Sequence, residues 1–157
     1  MANGYIVPGP CTITFGGSNF GQSREGMLID LQTFLEPIYS DKYGRTPIDQ
    51  IFAGKALTIS MLSIEPTLVK SKWISAFASV GTADIGKLAS ALTNAAVLTI
   101  VDTASTAGTW TTYKSVLNAP SRLQLQSTAE LRVPLVWTCI PDPDTGKFFT
   151  AVPSYLA

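Results

Sequence analysis

The sequence contains no histidine and few charged residues. Without histidine, general base catalysis by imidazole and imidazole ligation of metals are excluded. Charged residues make up 14% of the chain, against about 25% in a typical soluble domain, and 11 basic side chains balance 11 acidic ones. A surface that grips nucleic acid is therefore not expected, because phosphate binding requires clustered lysine and arginine.

Hydroxyl groups supply the polar character instead, since the chain has 18 threonines and 14 serines. Hydrophobic residues make up 46% of the 157 residues, a length that corresponds to about one domain. Because a net charge near zero favours association, we expect much of the surface to be covered in an oligomer rather than exposed on a monomer.

The two cysteines, Cys11 and Cys139, lie far apart in the sequence and form no CxxC pair. Two thiols without histidine or further cysteine do not make a zinc site, so no metal is predicted. Both are expected to be reduced, buried side chains of a protein folded in a reducing cytoplasm. No apolar run approaches the ~20 residues that span a membrane, so membrane insertion of the monomer is not predicted.

Alternation with a period of two predicts a mainly β protein. The clearest strand runs over 27–36, and another runs over 56–64 with a phase slip at Met61–Leu62. The apolar face assigned to the core carries Met27, Ile29, Leu31 and Leu35, and the polar face assigned outward carries Asp30, Gln32 and Glu36, with Thr58 and Ser60 on the neighbouring strand.

The remaining pattern predicts about seven strands and one helix. The helix is placed from Glu65 to Gly81, where apolar residues recur at helical spacing. We therefore predict one domain over 1–157, a β-sandwich or small barrel with a flanking α-helix, after an extended N-terminal arm over 1–10. Other strands are predicted over 11–15, 97–101, 113–117, 129–139 (with Pro134 at an edge or bulge) and 147–150, and loops over 83–96 and 103–112.

The longest predicted connection runs over 37–54 and carries turn-prone residues between Ser40 and Pro47. Long loops in compact domains tend to be functional or binding loops. This loop also carries apolar Ile48, Ile51 and Phe52, which are unusual on the loop of a monomer. The sequence leaves two interpretations open, an interface between subunits or a cover over the loop's own core.

No constellation of residues supports an enzyme or a cofactor. The glycine-rich run over 16–21 lacks the Gly-Lys-Ser/Thr ending of a phosphate loop, and the turn over 141–146 lacks further calcium ligands. Asp30 and Glu36 would lie roughly 20 Å apart on one strand, whereas paired glycosidase carboxylates stand about 5–9.5 Å apart.

Several segments, taken in order, resemble bacteriophage tail tube proteins. Those proteins run from a strand to an Asp-x-x-Gly-x-x-Pro loop, a glycine, a strand ending in glutamate, and a helix. The residues that carry the resemblance are Gly26–Asp30, Tyr39–Asp49, Phe52–Gly54 and Leu62–Thr67, with Leu131–Trp137 and Asp144–Phe149 near the end of the chain.

The resemblance implies a structural virion protein whose strands join across subunits into a hexameric ring barrel. Stacked rings would form the tail tube, assembled in the host cytoplasm, through which double-stranded DNA passes during genome ejection. The implied partners are further copies of the chain, the tape measure protein, the baseplate or tip and tail terminator proteins, and, for a contractile tail, a sheath.

The resemblance also gives roles to two sets of residues. The polar face of the strand over 27–36 would line the lumen, and the loop over 37–54 would join one ring to the next. The predicted lumen residues are Asp30, Gln32, Glu36, Thr58 and Ser60, and the predicted inter-ring residues are Asp41, Tyr43, Gly44, Arg45, Ile48, Ile51 and Phe52.

Two alternatives stay open at this point. The first is the inner tube of a type VI secretion or tailocin-like injection machine, which genomic neighbourhood would distinguish from a phage tail. The second is a monomeric β-sandwich that binds carbohydrate or protein, which sizing chromatography would distinguish from a tube.

Overall fold

The computed structural model describes residues 10–64, 85–92, 95–102, 108–118 and 133–153. Strands dominate this part of the chain, which confirms the prediction of a mainly β protein. The nine strands are β1 (Cys11–Phe15), β2 (Ser18–Tyr39), β3 (Pro47–Ser63), β4 (Ala95–Ala96), β5 (Leu98–Asp102), β6 (Thr109–Thr112), β7 (Lys114–Asn118), β8 (Val133–Ile140) and β9 (Phe149–Ala151), with short 3₁₀ turns at Asp41–Tyr43 and Ala89–Ala91.

The strands form one open antiparallel sheet in the order β4-β7-β8-β3-β2-β1-β5-β6-β9. β2 joins the two halves of the sheet, because it pairs with β1 up to Gln22 and with β3 from Ser23 onward, with a register shift between Ser23 and Met27. Gly26 lies at this transition with a φ of 82°, which favours glycine. The chain passes from one half of the sheet to the other again between β6 and β7, where the Tyr113 N–H donates to the Phe148 carbonyl at 2.9 Å.

The core lies between these two halves. Trp137 of β8 is fully buried, and its ring meets Phe15 of β1 at 5.9 Å and Phe20 of β2 at 6.4 Å, both edge to face. Ile13 and Ile100 are also fully buried beside them. Side chains from the two halves of the strand order thus meet in one cluster, which shows that the sheet folds over itself.

The described residues form nine strands in one open sheet, whereas the sequence predicts about seven strands in a sandwich or small barrel. The predicted helix from Glu65 to Gly81 lies outside the described residues, as do positions 1–9 of the predicted N-terminal arm. The predicted loop over 103–112 is wrong at its end, because Thr109–Thr112 is strand β6 and pairs with β5.

The alternation of buried and half-buried residues in β3 continues without a slip through Met61 and Leu62 to Ser63, so the predicted break there is wrong. Leu62 is an apolar residue on the outer face of the sheet, so in the sequence it looks like a shift in the alternation of apolar and polar residues. Pro134 pairs with Leu62 past the last described pair of β7 with β8, Asn118–Val136. The residues that follow Asn118 lie outside the described part of the chain, so the placement of Pro134 at an edge or bulge stays a prediction.

Both cysteines are buried and unbonded to each other, as predicted. Burial raises the pKa of the Cys139 thiol, and the neighbouring Ser115 hydroxyl, 3.5 Å from the sulfur, offsets part of this effect. The same Ser115 oxygen lies 2.9 Å from Thr112 Oγ1. A neutral thiol at pH 7 therefore sits in a small buried hydroxyl cluster where β6 turns into β7.

Candidate interaction surface

The outer parts of β2 and β3 form a long two-stranded hairpin that leaves the body of the sheet. β1 pairs with β2 only as far as Gln22, and β8 pairs with β3 only from Leu57 onward. We call residues 31–56 the distal hairpin; within the described structure its strands have only each other as neighbours. Nine residues of strand from Leu31 to Tyr39 correspond to roughly 30 Å of reach.

This geometry corrects the predicted loop over 37–54. Residues 37–39 and 47–54 are strand, and only the tip at 40–46 is a turn. The pairing shifts register after Phe34 and after Ile38, which interrupts the alternation that sequence analysis relies on. Pro37 and Pro47 resemble strand breakers, yet each lies on a strand with a free edge, where proline is tolerated.

The tip is closed by local hydrogen bonds. Ser40 Oγ accepts from the Lys42 N–H at 3.4 Å, and the Ser40 carbonyl accepts from the Tyr43 N–H at 3.0 Å. Gly44 follows with a φ of 61°, in the left-handed region. The Lys42 ammonium lies 5.5 Å from the centre of the Tyr43 ring. Four predicted inter-ring residues thus occupy this tip, namely Asp41, Tyr43, Gly44 and Arg45.

The inner face of the distal hairpin continues the core face of the sheet. Leu31 pairs with Leu57, and beyond the bulge Leu35 pairs with Phe52. The bulge places Ala53 as an extra residue in β3, beside Gly54 with a φ of 134°. Leu31 is 50% exposed and Leu35 51%, so their predicted burial is wrong. Met27 and Ile29, closer to the body, pack against the core as predicted.

The outer face of the distal hairpin is apolar at its centre as well. Even-numbered positions of β2 carry Phe34, Glu36 and Ile38, which pair with Gly54, Ile51 and Asp49 respectively. Phe34 is 48% and Ile51 56% exposed, while both carboxylates are exposed. The outer face therefore presents apolar side chains flanked by two acids. A hairpin with exposed apolar groups on both faces has no face that water solvates favourably.

The exposed area on the distal hairpin is large for a monomer. Its four aromatic side chains are about half exposed and present roughly 300–500 Å² together, taking 150–250 Å² for each complete side chain. The aliphatic side chains add a comparable area, whereas the largest apolar patch on a typical monomer is about 300–600 Å². The exposed residues are Leu31, Phe34, Leu35, Tyr39, Tyr43, Ile48, Ile51 and Phe52.

The predicted lumen residues all lie on the outer face of the sheet. Asp30 pairs with Thr58, and Ser60 pairs with Leu28 one step nearer the body. Gln32 Nε2 lies 3.5 Å from Asp30 Oδ2, in reach of donating to it. The fifth residue, Glu36, is separate from this group because it lies past the bulge on the distal hairpin.

A groove lies beside the base of the distal hairpin, on its inner face. Its volume is about 810 Å³, and its other wall is formed by strand β9 and by the turn at 142–147 apart from Pro143 and Asp144. Trp110 and Phe149 meet there edge to face at 5.3 Å. The lining includes Lys55 and Lys147, neither of which forms an ion pair with a described residue, and the carboxylate of Asp142. The groove is thus apolar and aromatic, with two cations and one anion in its lining.

The turn beside the groove is held by Asp142. Its carboxylate accepts from the Asp144 N–H at 3.0 Å and from Thr145 Oγ1 at 2.8 Å, and its carbonyl accepts from the Gly146 N–H at 2.7 Å. This pattern confirms the predicted turn. Among the described residues, no three histidine, cysteine or acidic side chains come close enough together to hold a metal ion.

Sequence analysis missed part of this surface. Leu28, Phe34 and Ile38 lie on the face predicted to be polar, where they alternate in phase with Asp30 and Glu36. Apolar residues at these even-numbered positions, on a face predicted to be polar, were the sequence signal for this part of the surface. The groove aromatics Trp110, Phe148 and Phe149 come together only through the pairing of β6 with β9, which no local pattern indicates.

Comparison with models of known protein families gives no match, and comparison with curated proteins gives none either. Within the described part of the chain, no helix has the length and hydropathy needed to cross a membrane.

Proposed function

We propose that the protein is a self-assembling structural subunit that forms rings stacked into a tube, as the tail tube of a bacteriophage does. The observation that carries this proposal is the distal hairpin, which exposes apolar side chains on both faces. A dimer that covered one face would leave the other in water. Neighbours on both sides, as in a ring that also stacks, would cover both.

Two further properties support the proposal. The chain has no net charge to oppose contact between copies, and the described sheet is open, with short edge strands β4 and β9. The hexameric ring and the tape measure, terminator and baseplate partners follow from the resemblance alone. Under this proposal the outer face with Asp30, Gln32, Thr58 and Ser60 lines the lumen.

The proposal is tested by sedimentation velocity and negative-stain electron microscopy across a concentration series. Interfaces of the size offered here have Kd values from µM to pM, so we expect rings with a central channel, or tubes, above about 10 µM protein. The matched control is the same series with Leu35→Ser/Phe52→Ser, which keeps the body of the sheet intact. A wild-type chain that stays monomeric throughout would contradict the proposal.

The lumen assignment gives a prediction of its own. In Asp30→Lys/Gln32→Lys each ring gains cations at exposed, weakly bonded positions, so tubes should still assemble. Tubes formed with short duplex DNA should then retain it, and retention should fall steeply with salt because phosphate contacts release counterions.

The measurement is co-sedimentation of the DNA after nuclease digestion. DNA held inside a tube is protected, whereas DNA bound outside is digested. Asp144→Lys, on the exposed turn near β9, is the control and should protect none. Retained DNA that the nuclease destroys would place Asp30 and Gln32 on the outside of the assembly.

A further inference from the structure

The outer face of the distal hairpin and the groove at its base have complementary chemistry. The outer face has Phe34 and Ile51 at its centre with two carboxylates, Glu36 and Asp49. The groove has aromatic walls and is lined by two lysines that form no ion pair with a described residue and by one carboxylate, Asp142, which accepts hydrogen bonds within its own turn. The outer face therefore carries a net negative charge, and the groove carries a net positive charge.

A chain does not fill its own groove with this face. The groove is lined by Ile29 and Leu31, odd-numbered residues on the inner face of β2. Phe34 and Glu36 are even-numbered and leave the sheet on the opposite side, because successive side chains of a strand alternate between faces. The outer face and the groove can therefore contact each other only when the hairpin of one copy meets the groove of another.

We propose that the distal hairpin of one subunit docks by its outer face into the groove of a second copy of this chain, with Glu36 and Asp49 opposite Lys55 and Lys147. The contact rests on the proposed self-assembly and specifies its partner surfaces. The contact covers the outer face only, so the exposed inner face of the hairpin, with Leu35 and Phe52, is left for a further contact in the assembly.

The contact joins two different surfaces, so it is heterologous. A heterologous contact leaves one hairpin and one groove unused in every dimer, and it continues until a ring closes or a filament grows. This property distinguishes it from a contact between two identical hairpins, which would stop at a dimer. The assignment also moves Glu36 from the predicted lumen set to the subunit interface.

The test is a charge exchange between two proteins. Glu36→Lys/Asp49→Lys reverses the hairpin, and Lys55→Glu/Lys147→Glu reverses the groove. Each variant alone sets like charges against each other, so we expect its threshold concentration for assembly to rise by roughly tenfold or more. All four residues are exposed, so the unfolding midpoint of each should stay at the wild-type value.

The two variants should assemble when they are mixed in equal amounts. In the mixture every lysine-bearing hairpin finds an acidic groove, and every acidic hairpin finds a basic one, so copies alternate. We expect the threshold to return to within about threefold of wild type, measured by sedimentation of a fluorescently labelled variant. Asp144→Lys, outside the groove lining, is the charge control and should leave the threshold unchanged.

The outcomes separate this contact from the proposed function. Wild-type tubes together with a mixture that does not assemble would overturn the docking contact and leave the tube proposal standing. Variants that each assemble as well as wild type would also overturn it. A wild-type protein that never assembles would contradict the proposed function itself.

Discussion

Trp137→Ala is expected to lower the free energy of unfolding by about 3–5 kcal/mol, the range for removing a large buried aromatic side chain. Trp137 is fully buried, at 0% exposure, and its ring packs against Phe15 and Phe20. Since domains are stable by about 5–15 kcal/mol, this loss is a large share of the total.

The measurement is chemical denaturation of dilute protein, below the concentration at which copies assemble, because association with other copies also stabilises the fold. The matched control is Trp110→Ala, at a half-buried position beside the groove, which should cost clearly less. Equal losses for the two variants would show that the two halves of the sheet do not meet at Trp137.

Trp137→Phe gives a second comparison at the same position. The indole Nε1 of Trp137 is buried and has no hydrogen-bond partner among the described residues. Phenylalanine removes this unpartnered N–H while it keeps a ring against Phe15, so part of the cavity cost is offset. We expect a loss smaller than that of Trp137→Ala.

The body of the sheet was predictable because its strands each have one buried face. In β1 and β8 the alternation of apolar and polar residues reports that face directly, and both strands were located from it. A short strand such as β4, with two residues, carries too little pattern to be detected. The closure of the sheet around Trp137 depends on contacts between strands far apart in sequence, which alternation does not encode.

The distal hairpin was mistaken for a loop for a physical reason. The assignment of Leu35 to the core assumes that each strand has one buried face and one solvent-exposed face. The distal hairpin extends past the body of the sheet and has exposed apolar residues on both faces. The bulge at Ala53 shifts the phase of β3, so Phe52 and Leu57 fall on the same face despite their odd spacing. Of the two interpretations left open for the apolar residues at 48, 51 and 52, their exposure argues against a cover over the subunit's own core.

Replacing residues 33–55 with Asn-Gly is expected to give a folded subunit that does not assemble. The last remaining pair, Gln32 with Ala56, is then joined by a two-residue turn of the type that suits a hairpin. The core loses nothing, because the deleted residues are exposed or half-buried. The chain also loses the apolar area that other copies would cover, so its affinity for them should fall by at least about 100-fold.

A shorter deletion separates the two roles of the hairpin. Removing Asp41–Thr46 takes away the tip predicted to join one ring to the next, but it keeps Glu36 and Asp49, which the docking contact uses. This variant should form rings that do not stack, whereas the longer deletion should leave monomers. Sedimentation velocity distinguishes monomers from rings, and electron microscopy distinguishes rings from tubes. Tubes of normal length from the longer deletion would show that assembly does not use the distal hairpin.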